Sequence, residues 1–500
     1  MTTYAAVCIG EDFMSEKEKV GTAVENDRFV QVEKEPGLIK SAFRAISKGD
    51  WAVKGSTLIM GLGYLARKRY VKAAITTIYE IAMILFVVLV GVPYLSEFGS
   101  LGTVKKEYIF DFATGKNIEN DYDNSFTILL ISVIAMCAVV FFVYTWLVNL
   151  RTVYKLQKAA EAGRHVNNFR EDVKSYINEK FHITLLSLPV AGVVIFTVVP
   201  LIILIAVAFT NYDSTHMPPD NLFTWVGFEN FKSLFSTGLT ATFSYSFKKV
   251  LVWTIVWAFF ATFSNYFLGI MLAKFLLNKK TKCPKLWRTI FMVTIAIPQF
   301  VTLLVIRNFL SDSGIANTIL SDVGFTGFLR DIGLITKDYI PFLSDPVWAK
   351  IMIIIINIWV GVPYQMLVAT GVLLNIPMDM QESAKIDGAT QWQSFWKITM
   401  PYMFAVTGPT LVTDFVRNIN NFNVIYLLTQ DVYVTTDQSL AISQAKEVDL
   451  LVTWLFRLTQ ENSNYKMASV IGIVVFILCA AFTLVSFRFL TRGDKEKEFQ

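Results

Sequence analysis

Histidine and cysteine are nearly missing from this chain, at three and four in 500 residues. His165, His182 and His216 show no ligand spacing, and Cys8, Cys137, Cys283 and Cys479 are too scattered for a metal cluster or a disulfide frame. A catalytic metal is therefore not expected. No G-x-x-x-x-G-K-[ST] string occurs, so the chain brings no phosphate-cradling loop of its own. Charge is scarce as well. Asp, Glu, Lys and Arg make up 17% of the residues, against about 25% in soluble domains. A cleavable signal is not expected either, because mostly polar residues fill 1–72 ahead of the first long apolar run.

What is abundant is apolar: 54% of residues are hydrophobic, 41 are Phe, and the mean hydropathy is +0.48. A soluble protein of this length could not hide so much apolar surface from water. Collagen, disorder and small disulfide scaffolds are excluded by the same composition. The solvent must be lipid. A spanning helix needs about 20 largely apolar residues, and eight stretches qualify: 73–94, 126–149, 183–210, 250–277, 289–310, 351–375, 401–428 and 467–490. The first contains Glu80, and the polar string "TDFVRNINNF" interrupts the seventh.

The loops give an orientation. Segments 151–181, 278–288 and 376–400 hold 14 Lys and Arg in 67 residues, whereas 95–125, 211–247, 311–349 and 431–465 hold 8 in 142. Positive charge is retained on the cytoplasmic side, so the first set is expected inside and both termini with it. Cys8 and Cys283 then lie in cytoplasm, Cys137 and Cys479 within spans, and no structural disulfide is expected. Residues 1–72 read as a cytoplasmic extension. Within it, "EPGLIKSAFRAISKGDW" has the pattern of a short basic amphipathic helix on anionic headgroups. Gly61 and Gly63, ahead of a basic cluster, point to a tight interfacial hairpin; the plain alternative is a polar tail with positive-inside charge.

The cytoplasmic stretch 375–403, "NIPMDMQESAKIDGATQWQSFWKITMPYM", is the most informative. Pro377 ends one helix and Pro401 suits the first turn of the next. Between them two short helices are expected, broken at Gly388, with Trp392, Phe395 and Trp396 spaced for one face. An apolar-faced helix-turn-helix at the membrane edge is a docking element.

This stretch resembles the EAA loop of ABC-importer permeases, through Glu382-Ser383-Ala384, Asp387-Gly388-Ala389 and Ile398-Thr399-Met400-Pro401, with Ser383 standing where alanine is usual. The resemblance extends to the maltose-type branch of carbohydrate permeases in four further segments: 207–235, 356–377, 409–429 and 448–459. It implies an all-α polytopic membrane protein, a type I importer permease with a six-helix core at 183–490. Two additional spans at 73–149, a cytoplasmic linker at 150–182 and a tail at 491–500 complete the expected order. It also implies that the loop at 376–401 couples to a cytoplasmic ATPase through Glu382, Ser383, Ala384, Asp387, Gly388, Ala389, Phe395, Ile398 and Pro401. The implied partners are a second permease subunit, two ATPase subunits that hydrolyse ATP, and an external solute-binding protein. This chain itself would bind no cofactor, nucleic acid or metal and would be no enzyme.

Polar groups inside spans mark internal contacts or a pathway. The seventh span carries Asp414 and Arg417, at a spacing that lets them neutralise each other, with Asn418 and Asn421 continuing the stripe. The sixth carries Trp359, Gly361, Tyr364 and Gln365, and Pro363 is expected to kink it. Such side chains suit sugar hydroxyls and ring faces. By the resemblance, Val360, Gly361, Tyr364, Asp414, Arg417, Asn418 and Asn421 fall at or beside the sugar site. That branch expects an aromatic at the position of Arg417, so the Asp414–Arg417 pair reads either as part of the site or as a brace between helices. Glu80 and Arg307 read as structural. The implied substrate is an oligosaccharide of maltose or maltodextrin type, with galacto-oligosaccharides and raffinose-type sugars as alternatives. An ion-coupled transporter with Asp414 as proton carrier is the rival from another class; no convincing internal repeat supports it.

Overall fold

The computed structural model of the chain describes residues 37–111, 115–236 and 242–497; Cys8 and the first half of the amino-terminal extension lie outside them. In chain order the principal helices are α1 (Leu38–Lys48), α2 (Tyr70–Glu97), α3 (Ser125–Glu161) and α4 (Phe181–Val207). They continue with α5 (Thr242–Leu277), α6 (Pro284–Ala296), α7 (Gln299–Phe309) and α8 (Pro346–Leu373). The last three are α9 (Met378–Ile386), α10 (Met400–Ile419) and α11 (Tyr465–Leu490). Among the described residues six of these, α2, α3, α4, α5, α8 and α11, are each long and apolar enough to cross a bilayer, and the bent pair α6–α7 adds a seventh if it is one broken span and not a re-entrant loop.

The seventh expected span, 401–428, corresponds to α10, followed by a separate short helix, Phe422–Thr429. Its polar residues lower its hydropathy below that of a lipid-facing helix. Another expected span, 289–310, is not straight: α6 and α7 meet at 91°. The cause is local. Pro298 has no N–H to give and forces the preceding Ile297 out of the helical region, where its backbone is extended. The kink expected at Pro363 does not interrupt helix geometry, for α8 runs through it unbroken. The described residues also include one two-stranded antiparallel pair, β1 (Tyr108–Asp111) against β2 (Lys116–Glu119), in which the β-formers Tyr108, Ile109 and Phe110 lie opposite a strand whose one β-former, Ile118, faces Ile109.

The chain divides into two compact units, Met1–Tyr94 with Ile131–Val194, and Leu95–Leu130 with Ile195–Gln500. In the first, the amphipathic helix expected from the sequence is α1. Ala42 and Ala45 on its small face pack with Val53, Tyr64, Ala73, Leu150 and Val153. The segment after it folds back tightly, and a Cβ on Gly61 would meet Thr77 Oγ1 at 2.1 Å. Glu80 accepts the buried Met60 amide at 2.8 Å, so this intraspan carboxylate satisfies the turn that the glycines permit.

In the second unit α5 is the axle, packed chiefly on α8 and α10. Its indoles are paired as buried tryptophans require: Trp253 donates to the Val448 carbonyl at 3.1 Å and Trp257 to that of Asn418 at 3.0 Å. By contrast, only 6% of the apolar window of α4 is buried, which leaves its surface for lipid or another chain. The segment 430–460 is tied by polar groups. Glu447 accepts from the Thr436 and Asp437 amides at 3.0 and 2.7 Å and from the Tyr433 hydroxyl at 2.9 Å. Asp437 also pairs with Lys249 at 2.7 Å. Arg307, read from sequence as structural, pairs with Asp431 at 2.8 Å.

Candidate functional site

A cavity of about 470 Å³ opens where α5, α8, α10 and the start of α7 converge. Val360, Gly361, Tyr364, Asp414, Arg417, Asn418 and Asn421 all line it, so the residues singled out from sequence are brought together. Two glycines allow the close approach of α5 and α8 beside it. A Cβ on Gly361 would fall 2.4 Å from Asn265 Nδ2, and one on Gly269 would fall 2.5 Å from the Gln365 Cβ.

Asp414 and Arg417 form an ion pair at 2.8 Å, but they are not equivalent: the Asp414 side chain is 7% exposed and that of Arg417 62%. The other carboxylate oxygen of Asp414 accepts from Gln365 Nε2 on α8 at 2.7 Å. Both oxygens are thus committed within the protein, joining α10 to α8, while the guanidinium fork stands into the cavity with donors to spare. The question of site or brace therefore divides between the two residues. Asn418 is also a joint. Its amide donates to Thr262 Oγ1 at 2.9 Å, and its oxygen accepts from Asn421 at 3.4 Å. Tyr364 is exposed on the wall.

The cavity has further walls that the sequence reading did not assign: Thr262 and Asn265 on α5, Gln299 at the α7 start, and Asn357 on α8. The rule that polar groups inside apolar runs mark a pathway points to three of them, Thr262 and Asn265 in "FFATFSNYF" and Asn357 in "IIIINIW", but not to Gln299. Asn265 Oδ1 and Asn357 Nδ2 are buried with no hydrogen-bond partner. One acceptor and one donor are left unmet at the cavity wall, a costly arrangement unless another state or a ligand satisfies them.

The loop between α8 and α10 has the expected helix-turn-helix form. Helix α9 ends at Ile386 and the chain turns at Gly388, whose φ of +76° suits glycine. The Ala389 amide closes back on the Ala384 carbonyl at 2.9 Å, and Thr390 then caps the next helix with a reciprocal bond to Gln393. Glu382, Ser383, Asp387 and Gly388 are exposed, Ala389 and Ile398 half-buried, Ala384 buried and Pro401 exposed in the first turn of α10. Phe395 points inward, in one cluster with Tyr266, Ile270 and Met403, and Lys274 Nζ lies 4.4 Å from its ring centre. It anchors the loop to the bundle. The outward apolar surface belongs instead to Ile386, Met378 and Trp392, of which Ile386 is 86% exposed.

Comparison with known proteins places these features. Residues 265–495 match the family described as binding-protein-dependent transport system inner membrane component. The galactooligosaccharides transport system permease protein GanP of Bacillus subtilis is 32% identical over 88% of this chain and 97% of its own length. The maltodextrin transport system permease protein MalC of Streptococcus pneumoniae is 30% identical over 88% and 96%. A solved bacterial ABC transporter for the polysaccharide alginate aligns over 64% of this chain and 98% of its own, with 24% identity and a TM-score of 0.47. The chain belongs to the inner-membrane components of binding-protein-dependent transport systems, in the maltose-type branch of carbohydrate ABC-importer permeases.

Proposed function

We propose that this chain forms half of a translocation path for a neutral oligosaccharide, of the maltodextrin or galacto-oligosaccharide class, in an ATP-driven importer. The observation that carries this reading is the polar cavity in the α5–α8–α10 bundle, with the Arg417 guanidinium and the Tyr364 ring exposed in its wall. Hydrogen-bonding forks and aromatic faces are the groups that hold hydroxylated rings. The two relatives' names support the two sugar classes equally.

In this reading an external solute-binding protein delivers the sugar, and a second permease subunit completes the path. Two ATPase subunits hydrolyse ATP, and one of them takes the docking loop between α8 and α10. Closure of the ATPase pair moves the loops, and α9 passes that motion to the bundle. Each step needs a difference in affinity between states, since a ligand that binds both equally shifts nothing.

The test is ATPase activity of the reconstituted complex with its binding protein across a panel of maltodextrins and galacto-oligosaccharides. One class should stimulate several-fold more than the other. No stimulation by either would end the proposal. Arg417→Lys keeps a charge for Asp414 but loses the planar fork. It should fold normally yet alter sugar preference, and an unchanged preference would reduce Arg417 to a brace.

A further inference from the structure

A groove of about 450 Å³ toward the amino-terminal end of α5 shares no residue with the polar cavity. Lys248 and Lys249 of α5 and Lys350 of α8 line it beside Tyr245 and Trp253, with Val252 and Val256 as its apolar side and no carboxylate in its wall. Lys249 is spent on Asp437, at 2.7 Å, and the Tyr245 hydroxyl donates to the same carboxylate at 2.9 Å. Glu447 acts on Lys350 across space, but its oxygens are taken by Thr436, Asp437 and Tyr433. The Lys350 ammonium stands instead 5.0 Å from the centre of the Trp253 ring. Among the described residues neither Lys248 nor Lys350 has an ion-pair partner. The adjoining residues outside the described set, 237–241, read Thr-Gly-Leu-Thr-Ala and bring no charge.

Depth identifies what such a groove can meet. Lys249 directly precedes the apolar run 250–277, and Lys350 directly precedes the run 351–375. Two helices thus put the lysines at one level, that of the headgroups, at the end which the loop charges assign outside. Lys and Arg are sparse in the loops on that side, so retention of positive charge in the cytoplasm gives no reason for three lysines to converge there. Tyrosine and tryptophan, which favour this zone, flank them. Past the lysines, Val252, Val256 and Phe259 recur at helical spacing and are exposed, with Ile255 and Phe260 beside them. That ridge runs into hydrocarbon depth, where a water-soluble partner does not reach. Cations at headgroup level above an exposed apolar ridge match one molecule with an anionic head and acyl chains.

We infer that this groove binds an anionic phospholipid of the outer leaflet, its headgroup phosphate between Lys248 and Lys350 and its acyl chains along Val252, Val256 and Phe259. Each ammonium is a point charge with three donors, so phosphate oxygens take bonds from both. The lipid bridges the outer ends of α5 and α8, the two helices whose other residues wall the polar cavity.

The test uses the full-length chain, extracted in zwitterionic detergent from vesicles of equal parts phosphatidylglycerol and phosphatidylcholine, with bound lipid counted by native mass spectrometry. Phosphatidylglycerol should be retained in preference. The double variant Lys248→Gln, Lys350→Gln should keep its thermal midpoint in lipid-free detergent and lose that retention by about tenfold, from two cations near an anion. Lys248→Arg with Lys350→Arg keeps both charges and should retain the lipid as the wild type does. Lys279→Gln with Lys280→Gln removes two exposed cations just past the other end of α5 and should change nothing. No preference for phosphatidylglycerol, or the same loss from the Lys279 and Lys280 variant, would overturn the inference. Equal retention by the first variant and wild type would overturn it too; if stimulation of the assembled ATPase by the binding protein were then lost, the lysines would belong to an acidic surface of that protein. A parallel titration with inorganic phosphate separates the sources of the anion. Tight phosphate binding that displaces the lipid would make the free anion the ligand, and the lipid assignment would fail.

Discussion

Asp414 and Arg417 stand one turn apart on α10, and their burial makes opposite predictions. Asp414→Asn keeps the acceptor that Gln365 uses but removes the charge facing Arg417, so it should lower the thermal midpoint, by about 1–2 kcal/mol of stability. Sugar preference should be unchanged, the reverse of Arg417→Lys, and a denaturation curve beside a sugar panel checks the contrast. Gly361 gives a sharper steric test. Gly361→Ala puts a methyl 2.4 Å from Asn265 Nδ2, whose amide is already bonded to the Ala261 carbonyl at 2.8 Å. It should cost about 1–3 kcal/mol through overpacking. Gly371→Ala, ten residues along the same helix with open space around it, should instead be neutral or stabilising by up to about 1 kcal/mol. Thermal unfolding of the two variants decides it. The intramembrane polar residues were legible because lipid has no use for them, which is why Asp414, Arg417 and Asn418 could be read from the chain. Which atoms of each are spent on neighbours was not legible, because that depends on contacts such as Gln365 to Asp414 and Thr262 to Asn418, far apart in sequence.

At the scale of elements, the docking loop shows how turn chemistry survives translation from sequence. Asp387-Gly388 announced a break, and the structure has Gly388 at φ +76° between two capped helices. Gly388→Ala should strain this turn by about 1–2 kcal/mol; Gly388→Asn should strain it less, as asparagine tolerates the left-handed region. If α9 is the lever to the ATPase, transport per ATP hydrolysed should fall in the order glycine, asparagine, alanine, with assembly intact. Full coupling in both variants would remove the lever role. The aromatic face was only half legible. Spacing put Trp392, Phe395 and Trp396 together, but helical period alone cannot say which ring meets the bundle and which meets a partner. The bend at Pro298 was missed for a related reason: hydropathy over 289–310 is continuous, and a window average does not register one missing amide.

At the scale of the whole molecule, the scarce charges sort into the edges assigned to cytoplasm, a few intraspan residues and the polar ties of the loops assigned outside. Those ties predict acid resistance. Lys249 beside Asp437, ahead of the opposing effect of burial, holds this carboxyl at about 2, against an ordinary 3.8. A carboxylate with a lowered folded value stabilises fully above its unfolded value and loses that contribution as pH falls through the folded one. The Lys249–Asp437 tie should therefore be intact above about pH 4 and fade toward pH 2. Asp437→Asn should lower the thermal midpoint at neutral pH and flatten its decline in that acid window. The sidedness that makes this an external property rests on loop charge, and one thiol can test it. Cys283 is exposed in the basic loop between α5 and α6. In a variant with Cys8, Cys137 and Cys479 replaced by serine, a membrane-impermeant maleimide should label inside-out vesicles and leave intact cells unlabelled. Labelling of intact cells would invert the topology, moving the docking loop away from any cytoplasmic ATPase. The coupling proposal would then fail, because it depends on that asymmetry of Lys and Arg.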